Sequence, residues 1–319
     1  MARVLSLALL VPVLAAGLAP PVRAADPVPP RIDLGLPPGT VTPPRDTGSP
    51  DKAAAPAPVP VDKSQFNVLN PTPAENLRGF TTDRPAKGYS PITVDAGHLQ
   101  YETDALIYSH SNFGGLSTRQ FTAFDPTVKL GLTDRVEFGL QFGGYNWVDA
   151  KAPGTSTTVF RARGVGDLTL RPKINVFGNE SGVALAVIPY VKFPTASRFL
   201  GNGHLDGGVI LPFTAPLPYD FTVTFSPEVD VLRNGTNAGH HINFTQSISL
   251  GHPIGKKLTV YGEFYSTIGP DRGSPNIYTA DVAAAYLLTD TLQADVGANF
   301  GLNKAAPNLQ VYAGLSQRF

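Results

Sequence analysis

The sequence predicts an all-β fold, a closed transmembrane barrel of about 12 antiparallel strands, on the basis of three observations. Between about Thr93 and Phe319, twelve segments alternate polar and apolar residues, with no helical pattern between them. In the segment that begins at Leu292, for example, even-numbered residues are apolar and odd-numbered residues are mostly polar as far as Phe300. The other two observations are a chain start typical of secreted proteins and an aromatic residue at the end of the last segment.

A β-strand turns successive side chains to opposite sides, so the alternation separates an apolar face from a polar face. Twelve such strands leave a soluble fold few ways to bury their apolar faces. A barrel in a bilayer solves this problem because its apolar face points outward into lipid. No stretch after the first 24 residues is apolar enough for a transmembrane helix. The sequence therefore predicts the bacterial outer membrane as the location.

Residues 1–24 have the layout of a secretory signal peptide. Arg3 gives a basic start, an apolar run extends from Val4 to Leu18, and small residues precede the expected cleavage after Ala24. As a membrane anchor, this run is too short and is interrupted by proline. We therefore expect the chain to cross the inner membrane and to lose this segment.

Residues 25–77 are rich in proline and alanine and show no periodicity. Such a composition buries too little apolar surface to offset the entropy of ordering, and its prolines favour extended conformations. We predict that this segment is a disordered periplasmic arm and that residues 78–319 form the barrel. A polyproline ligand for a periplasmic partner is the alternative.

The predicted strands are joined by connections of two alternating kinds. One set is short and rich in turn formers, as at Thr133-Asp134, whereas the other is generally longer, as at Val148–Val159 and Thr195–His204. With both termini in the periplasm, the short turns fall there and the long loops fall outside the cell. The predicted strands are Gly97–Ser109, Arg119–Leu132, Arg135–Asn146, Phe160–Val176, Val183–Pro194, Leu205–Ala215, Tyr219–Leu232, His241–Leu250, Leu258–Ile268, Asn276–Leu287, Leu292–Leu302 and Asn308–Phe319.

The charges inside these strands share the polar parity of their strand, and we predict that they line the lumen. An outward Lys or Arg at the middle of the bilayer would cost about 2–4 kcal/mol, which explains an apolar face without charges. The residues expected to line the lumen are the basic Lys129, Arg161, Arg163, Arg171, Lys173 and Lys192 and the acidic Glu102, Asp104, Asp220, Glu228, Asp230, Glu263, Asp281 and Asp295.

These charges are distributed unevenly around the predicted barrel. Strands two to five carry most of the bases and the remaining strands carry most of the acids, so a basic wall is expected to face an acidic wall. Across an open aqueous path, the two walls would create a transverse field that orients ionic or dipolar solutes. Alternatively, opposite charges across a narrow lumen would form salt bridges and seal the barrel.

The composition excludes several classes of site. The formal net charge is +0, which argues against a nucleic-acid partner. The absence of cysteine excludes thiolate metal sites and disulfides, and no metal or cofactor is expected. Ser109, His110 and Ser111 are adjacent and alternate between faces, which argues against a nucleophile–base pair within that strand. We therefore predict that the protein is not an enzyme, with a barrel hydrolase that uses a cross-strand partner of His241 as the alternative.

The last predicted strand ends on Phe319, which shares an apolar face with Leu309, Val311 and Leu315. A terminal Phe on such a strand resembles the signal by which bacterial outer-membrane barrels are handed to their assembly machinery. We therefore predict that Phe319 acts as an assembly signal. The expected partners are the barrel assembly machinery, periplasmic chaperones, outer-membrane lipid and a small-molecule solute.

The chain contains five short motifs, at Thr81–Pro85, Gly97–Glu102, Gly131–Glu137, Gly164–Asp167 and Gly314–Phe319. Their order and spacing resemble the outer-membrane transporter family that is linked to a meta-pathway of phenol degradation. This resemblance extends from about residue 80 to the end of the chain and leaves out the proline-rich arm. It implies a barrel and the passage of small or aromatic compounds.

Taken together, the sequence predicts a passive outer-membrane channel for small solutes, which could be aromatic or hydrophobic. The alternative from another class is a non-conducting structural or adhesion barrel whose lumen is sealed by its own ion pairs.

Overall fold

The structure, a computed structural model, describes residues 61–152, 154–180, 182–234, 239–269 and 275–319. The expected signal peptide and the first part of the expected arm, up to residue 60, lie outside these residues. The two helices in the described residues, Lys63–Gln65 and Ala74–Asn76, are short 3₁₀ turns. None of the described helices is long and apolar enough to cross a membrane.

In the part of the chain that the structure describes, twelve strands form one antiparallel sheet that closes on itself, which confirms the predicted fold and strand number. The sheet closes because β1 pairs with β2 on one side, where Leu99 faces Leu130, and with β12 on the other, where Gln100 faces Arg318. Closure removes both free edges, as a barrel requires. The strands are β1 (Leu99–Phe113), β2 (Leu116–Thr133), β3 (Val136–Phe142 and Tyr145–Lys151), β4 (Thr158–Val165 and Leu168–Phe177), β5 (Ala184–Phe193), β6 (Asp206–Ile210 and Phe213–Pro216), β7 (Thr222–Arg233), β8 (His240–Ile254), β9 (Leu258–Ile268), β10 (Ile277–Thr289), β11 (Leu292–Gly301) and β12 (Leu309–Arg318).

Large apolar side chains cover the outside of this barrel. Val282, Val296 and Leu315 are each among the exposed hydrophobic residues, and they lie on the face opposite to Asp281, Asp295 and Ser316. The polar members of these neighbouring pairs are buried inside the barrel. An apolar exterior around a polar interior is typical of a barrel that spans a membrane.

Among the connections that the structure describes, the two predicted kinds are found at opposite ends of the barrel, with one clear exception in length. Turns such as 134–135 and 290–291 are short at the end where both described termini lie, and loops such as 152–157 and 194–205 are longer at the other end. The exception is the first loop, which consists of Gly114 and Gly115 alone. Both glycines have positive φ angles, 61° and 75°, which a two-residue hairpin connection requires.

A line of irregularities crosses β1 to β4 at one level of the barrel. The register between β1 and β12 shifts between Asp104 and Leu106, and Phe124 in β2 has a φ of 51°. At the same level β3 is interrupted at Gly143-Gly144 and β4 at Gly166-Asp167. Each bulge adds one residue to its strand, so the residues beyond it change sides. We call this line the bulge seam.

The residues before β1 also differ from the prediction. Residues 62–77 were expected to belong to a disordered arm, yet they fold beneath the barrel, where Asn67 forms a β-bridge with Thr133 and Phe66 is buried. Residues 78–98 were expected to start the barrel, but they enter the lumen and return before β1 begins. We call residues 78–98 the plug loop.

Candidate functional site: the lumen and its plug loop

The plug loop is anchored at the periplasmic end of the lumen by two arginines. Arg78 places its guanidinium 3.2 Å from Asp95 and also contacts Asp134. Arg318 of β12 donates to the carbonyl of Arg78 at 2.9 Å and to Asp95 at 3.3 Å. These contacts join the two ends of the loop to each other and to the last strand.

The tip of the plug loop places Arg84 against the acidic wall. Its guanidinium lies 2.6 Å from Asp104 of β1 and 2.5 Å from Asp295 of β11. Tyr312 of β12 donates its hydroxyl to the carbonyl of Pro85 at 2.8 Å. A planar guanidinium has enough donors to bind two carboxylates at once, so Arg84 bridges the two sides of the barrel closure.

Lys87 makes a second contact with the acidic wall. Its ammonium lies 2.9 Å from Asp281, and it also lies 4.5 Å from the centre of the Tyr265 ring. Glu263 accepts the backbone N–H groups of Lys87 at 3.0 Å and of Gly88 at 3.3 Å. The acidic side chains of β9, β10 and β11 are thus occupied by the plug loop.

Asp83 faces the opposite, basic wall. Its carboxylate contacts the ammonium of Lys129 and lies 3.1 Å from that of Lys173. Burial alone would raise the pKa of Asp83, but the two ammonium groups reverse this and hold the pKa well below its usual range. Glu102 and Glu137 complete the cluster, at 2.7 Å from Lys129 and 3.2 Å from Lys173 respectively.

The plug loop therefore presents to each wall a side chain of the opposite charge. Its acid, Asp83, lies against the basic wall, and its bases, Arg84 and Lys87, lie against the acidic wall. The sequence suggested either an open lumen between the walls or direct salt bridges across it. The structure shows a third arrangement, in which a segment of the same chain stands between the walls and forms ion pairs with both.

A cavity of about 120 Å³ lies beside the tip of the plug loop, with Tyr89 and Arg171 in its lining. The guanidinium of Arg171 lies 5.3 Å from the Tyr89 ring centre and 5.9 Å from that of Tyr190. Tyr190 donates to Asp230 at 2.6 Å. Polar groups and aromatic faces thus meet in the lumen beside the plug loop.

The outer mouth of the barrel is narrowed by the loop 194–205, which folds against the inner face of β4. Ser197 donates its N–H to Val165 at 2.9 Å, and Asp167 accepts the N–H of Ala196 at 2.8 Å. Lys192 supports this arrangement from β5, 3.4 Å from Asp167. The path is therefore constricted by this loop near the outside and by the plug loop in the middle.

Of the residues expected to line the lumen, eleven lie on inward positions of the described strands. Arg161 and Arg163 do not, because they pair with Asp149 and Trp147 on the outward face of β3. Both lie beyond the bulge seam, where one added residue reverses the parity on which the prediction relied. Asp220 also differs, since it lies in the exposed turn before β7 with a φ of 60°. The eleven inward residues are Glu102, Asp104, Lys129, Arg171, Lys173, Lys192, Glu228, Asp230, Glu263, Asp281 and Asp295.

Sequence reasoning missed the three plug-loop residues that make the central ion pairs, Asp83, Arg84 and Lys87. Asp83 and Arg84 lie in one of the motifs that carried the family resemblance, but nothing in that motif placed it in the lumen.

The hydrolase alternative gains no support from His241, whose ring nitrogen contacts Asn234 at 2.8 Å rather than a serine.

The chain matches a family described as "Putative MetA-pathway of phenol degradation" over residues 82–319. An outer-membrane channel from Pseudomonas putida F1 is similar in structure, with 15% sequence identity and a TM-score of 0.54, over 74% of this chain and 99% of that chain. The NanC porin aligns at 9% identity and a TM-score of 0.42, over 69% of this chain and 98% of that chain. The CymD monoaromatic hydrocarbon channel aligns at 8% identity and a TM-score of 0.40, over 69% and 87%. No curated protein sequence matches the chain.

Proposed function

Because the chain belongs to the family described as MetA-pathway of phenol degradation, we propose that it is a channel of the bacterial outer membrane. In this proposal, small solutes pass when the plug loop leaves the walls, and the protein has no catalytic role. The observation that carries the proposal is the way the plug loop is held. Its charged tip is bound in the middle of the lumen by polar side chains of both walls.

Polar contacts of this kind suit a segment that moves. When Arg84 or Lys87 leaves, water in the lumen can hydrogen-bond to the carboxylate that is left behind. Apolar side chains that held the loop would instead lose their contacts without replacement. The likeness to an outer-membrane channel supports the barrel fold. We therefore propose two states, one docked and poorly conducting and one released and conducting.

We also propose that the solutes are about the size of one aromatic ring. The cavity of about 120 Å³ beside the loop tip is of that order, and the faces of Tyr89 and Tyr190 flank Arg171 there. A cation between aromatic faces suits an aromatic solute with a negative group. Benzoate should therefore block ion current at lower concentration than acetate, and Arg171→Gln should remove that difference. Equal block by both anions would contradict this solute class.

A reversible cross-link tests the channel proposal directly, because the native chain has no cysteine. A Cβ atom at Gly88 would lie 3.2 Å from the Cβ of Ser226, close to the separation of about 3.5–4.5 Å found in disulfides. The Ser247 hydroxyl, 2.5 Å from that Cβ position, has to rotate aside to make room. Oxidation of Gly88→Cys/Ser226→Cys should therefore lock the plug loop in place.

Planar-bilayer current is then compared before and after reduction, with each single cysteine variant as the control. We expect a low current in the oxidised protein and a reversible rise on reduction. Equal, substantial currents in both states would show that solutes pass a docked loop. No current in any state, despite a folded barrel, would favour the sealed structural barrel.

A further inference from the structure

The bulge seam places charged residues on the outer surface of β1 to β4, where an alternating barrel strand would carry apolar ones. One outward row consists of His110, Arg119, Asp149 and Arg161, which pair in that order across the four strands. Below it, towards the periplasm, lies a row with Tyr108, Phe121, Trp147 and Arg163. Lys151 lies one row above. We call Arg119, Lys151, Arg161 and Arg163 the outer basic patch.

The height of the patch follows from the geometry of β1. Eleven residue-to-residue steps lead from Leu99, at the periplasmic end, to His110. With a rise of about 3.4 Å per residue and a tilt of about 40°, they span roughly 29 Å along the barrel axis. The apolar band of a bacterial barrel is about 25 Å tall. The row with Arg119 and Arg161 therefore lies where the outer leaflet changes from acyl chains to headgroups, and Arg163 lies in the row of aromatic rings directly below it.

The patch retains a positive charge in spite of its one acid. Arg161 donates to Asp149 at 2.5 Å, but the Arg161 side chain is still 56% exposed and keeps donors that this contact does not use. Four bases against one carboxylate leave a net charge of about +3. A groove of about 340 Å³ runs along Ser117, Arg119, Asp149 and Lys151, which gives an anionic group a place to bind.

We propose that this surface binds a phosphate-bearing glycolipid of the outer leaflet. Arginine matches the geometry of a phosphate through paired N–H groups, lysine adds a point charge, and the aromatic row below contacts the acyl chains. The proposal rests on the proposed outer-membrane location and does not depend on whether the barrel conducts.

Native mass spectrometry of the delipidated, folded barrel in detergent tests the site. The probe is lipid A that carries both of its phosphates, and the comparison probe is the same lipid after removal of the phosphates. We expect the native protein to retain the phosphorylated lipid at least tenfold better. Arg119→Gln/Lys151→Gln/Arg161→Gln should lose this preference, and Arg161→Gln alone should weaken it several-fold.

Arg233 supplies the matched control, because it is an outward basic residue at the outer end of β7, on another part of the barrel. Arg233→Gln should keep the full preference. The proposal is overturned if the native protein binds both lipids equally, if the triple variant keeps the preference, or if Arg233→Gln loses as much as Arg161→Gln. Displacement of the lipid by millimolar inorganic phosphate would also overturn it, because the site would then bind a free anion. If the triple variant fails to fold, the comparison of Arg161→Gln with Arg233→Gln tests the proposal.

Discussion

Replacing Arg84 by glutamine should release the plug loop, and the structure indicates by how much. Arg84 is only 12% exposed in its side chain and contacts Asp104 and the fully buried Asp295. Removing one partner of a buried ion pair costs about 3–5 kcal/mol because a carboxylate is left without compensation. Partial exposure of Asp104 favours the lower value, about 3 kcal/mol. Since about 1.4 kcal/mol corresponds to a tenfold change, the ratio of docked to released loop should fall by roughly 100-fold.

A cysteine placed under the plug loop can report this change. Ser226 is buried and accepts the backbone N–H of Tyr89, so the thiol of Ser226→Cys is shielded while the loop is docked. Its alkylation rate with a water-soluble maleimide should rise about 100-fold when Arg84→Gln is added. Arg161→Gln is the matched control, because it removes an arginine from an exposed pair that contributes only about 0–1 kcal/mol.

The comparison also defines the refuting results. Equal alkylation rates in the Arg84 and Arg84→Gln backgrounds would mean that the ion pairs do not hold the loop. An equal rise with Arg161→Gln would mean that the barrel as a whole has loosened. Far-ultraviolet circular dichroism and heat-modifiable migration on gels establish that each variant is folded.

Three further predictions concern the plug loop, the topology and assembly. Asp83 has a lowered pKa in the docked loop, so its ionised form stabilises that state. The stabilisation is fully present above the ordinary pKa of about 3.9 and is lost only as pH falls through the lower pKa of the docked state. Asp83 should therefore keep the docked state unchanged between pH 7 and pH 5. Bilayer current that rises within that window in the native protein, but not in Asp83→Asn, would contradict this. A protease site inserted in the loop 152–157 should be cut on intact cells, whereas one inserted in the turn 134–135 should be protected; the reverse pattern would invert the orientation. Deleting Phe319 should lower the folded outer-membrane fraction on a heat-modifiability gel without affecting export, and unchanged migration would count against its role as an assembly signal.

The barrel could be predicted from the sequence because its evidence is local and repeated. The apolar face of a strand such as β11 can be assigned from its alternating residues alone. Closure of the sheet then follows because the backbone N–H and C=O groups at a free strand edge would have no hydrogen-bond partners in lipid. The same regularity explains the errors at Arg161 and Arg163. A bulge at Gly166-Asp167 adds one residue, and a parity counted through it reverses. Glycine indicates that an irregularity is permitted there, but it does not fix how many residues are added.

The plug loop could not be predicted in this way. Residues 78–98 have no period, since their contacts are made by single residues such as Asp83 and Lys87 with partners more than 40 residues away in sequence. The unequal charges of the two walls are the indirect evidence in the sequence for a segment between them. The two walls pair directly only where they adjoin, as at Lys129 and Glu102, and the charges farther apart need another counterpart. Only the three-dimensional structure shows that one short loop supplies it for both walls.

The contacts of the plug loop also constrain the order in which the protein can be assembled. The loop precedes all twelve strands in the chain, yet Arg84 and Pro85 find partners on β11 and β12, and Arg78 on Arg318, one residue from the end. Arg84 and Pro85 therefore complete their contacts only after β11 and β12 have been synthesised, whereas Asp83 finds its partners on β2 and β4. The plug loop's set of partners is therefore complete only when β12 joins β1. Closure of the barrel and completion of the docked plug loop are thus coupled, because a segment that precedes β1 needs contacts with β12.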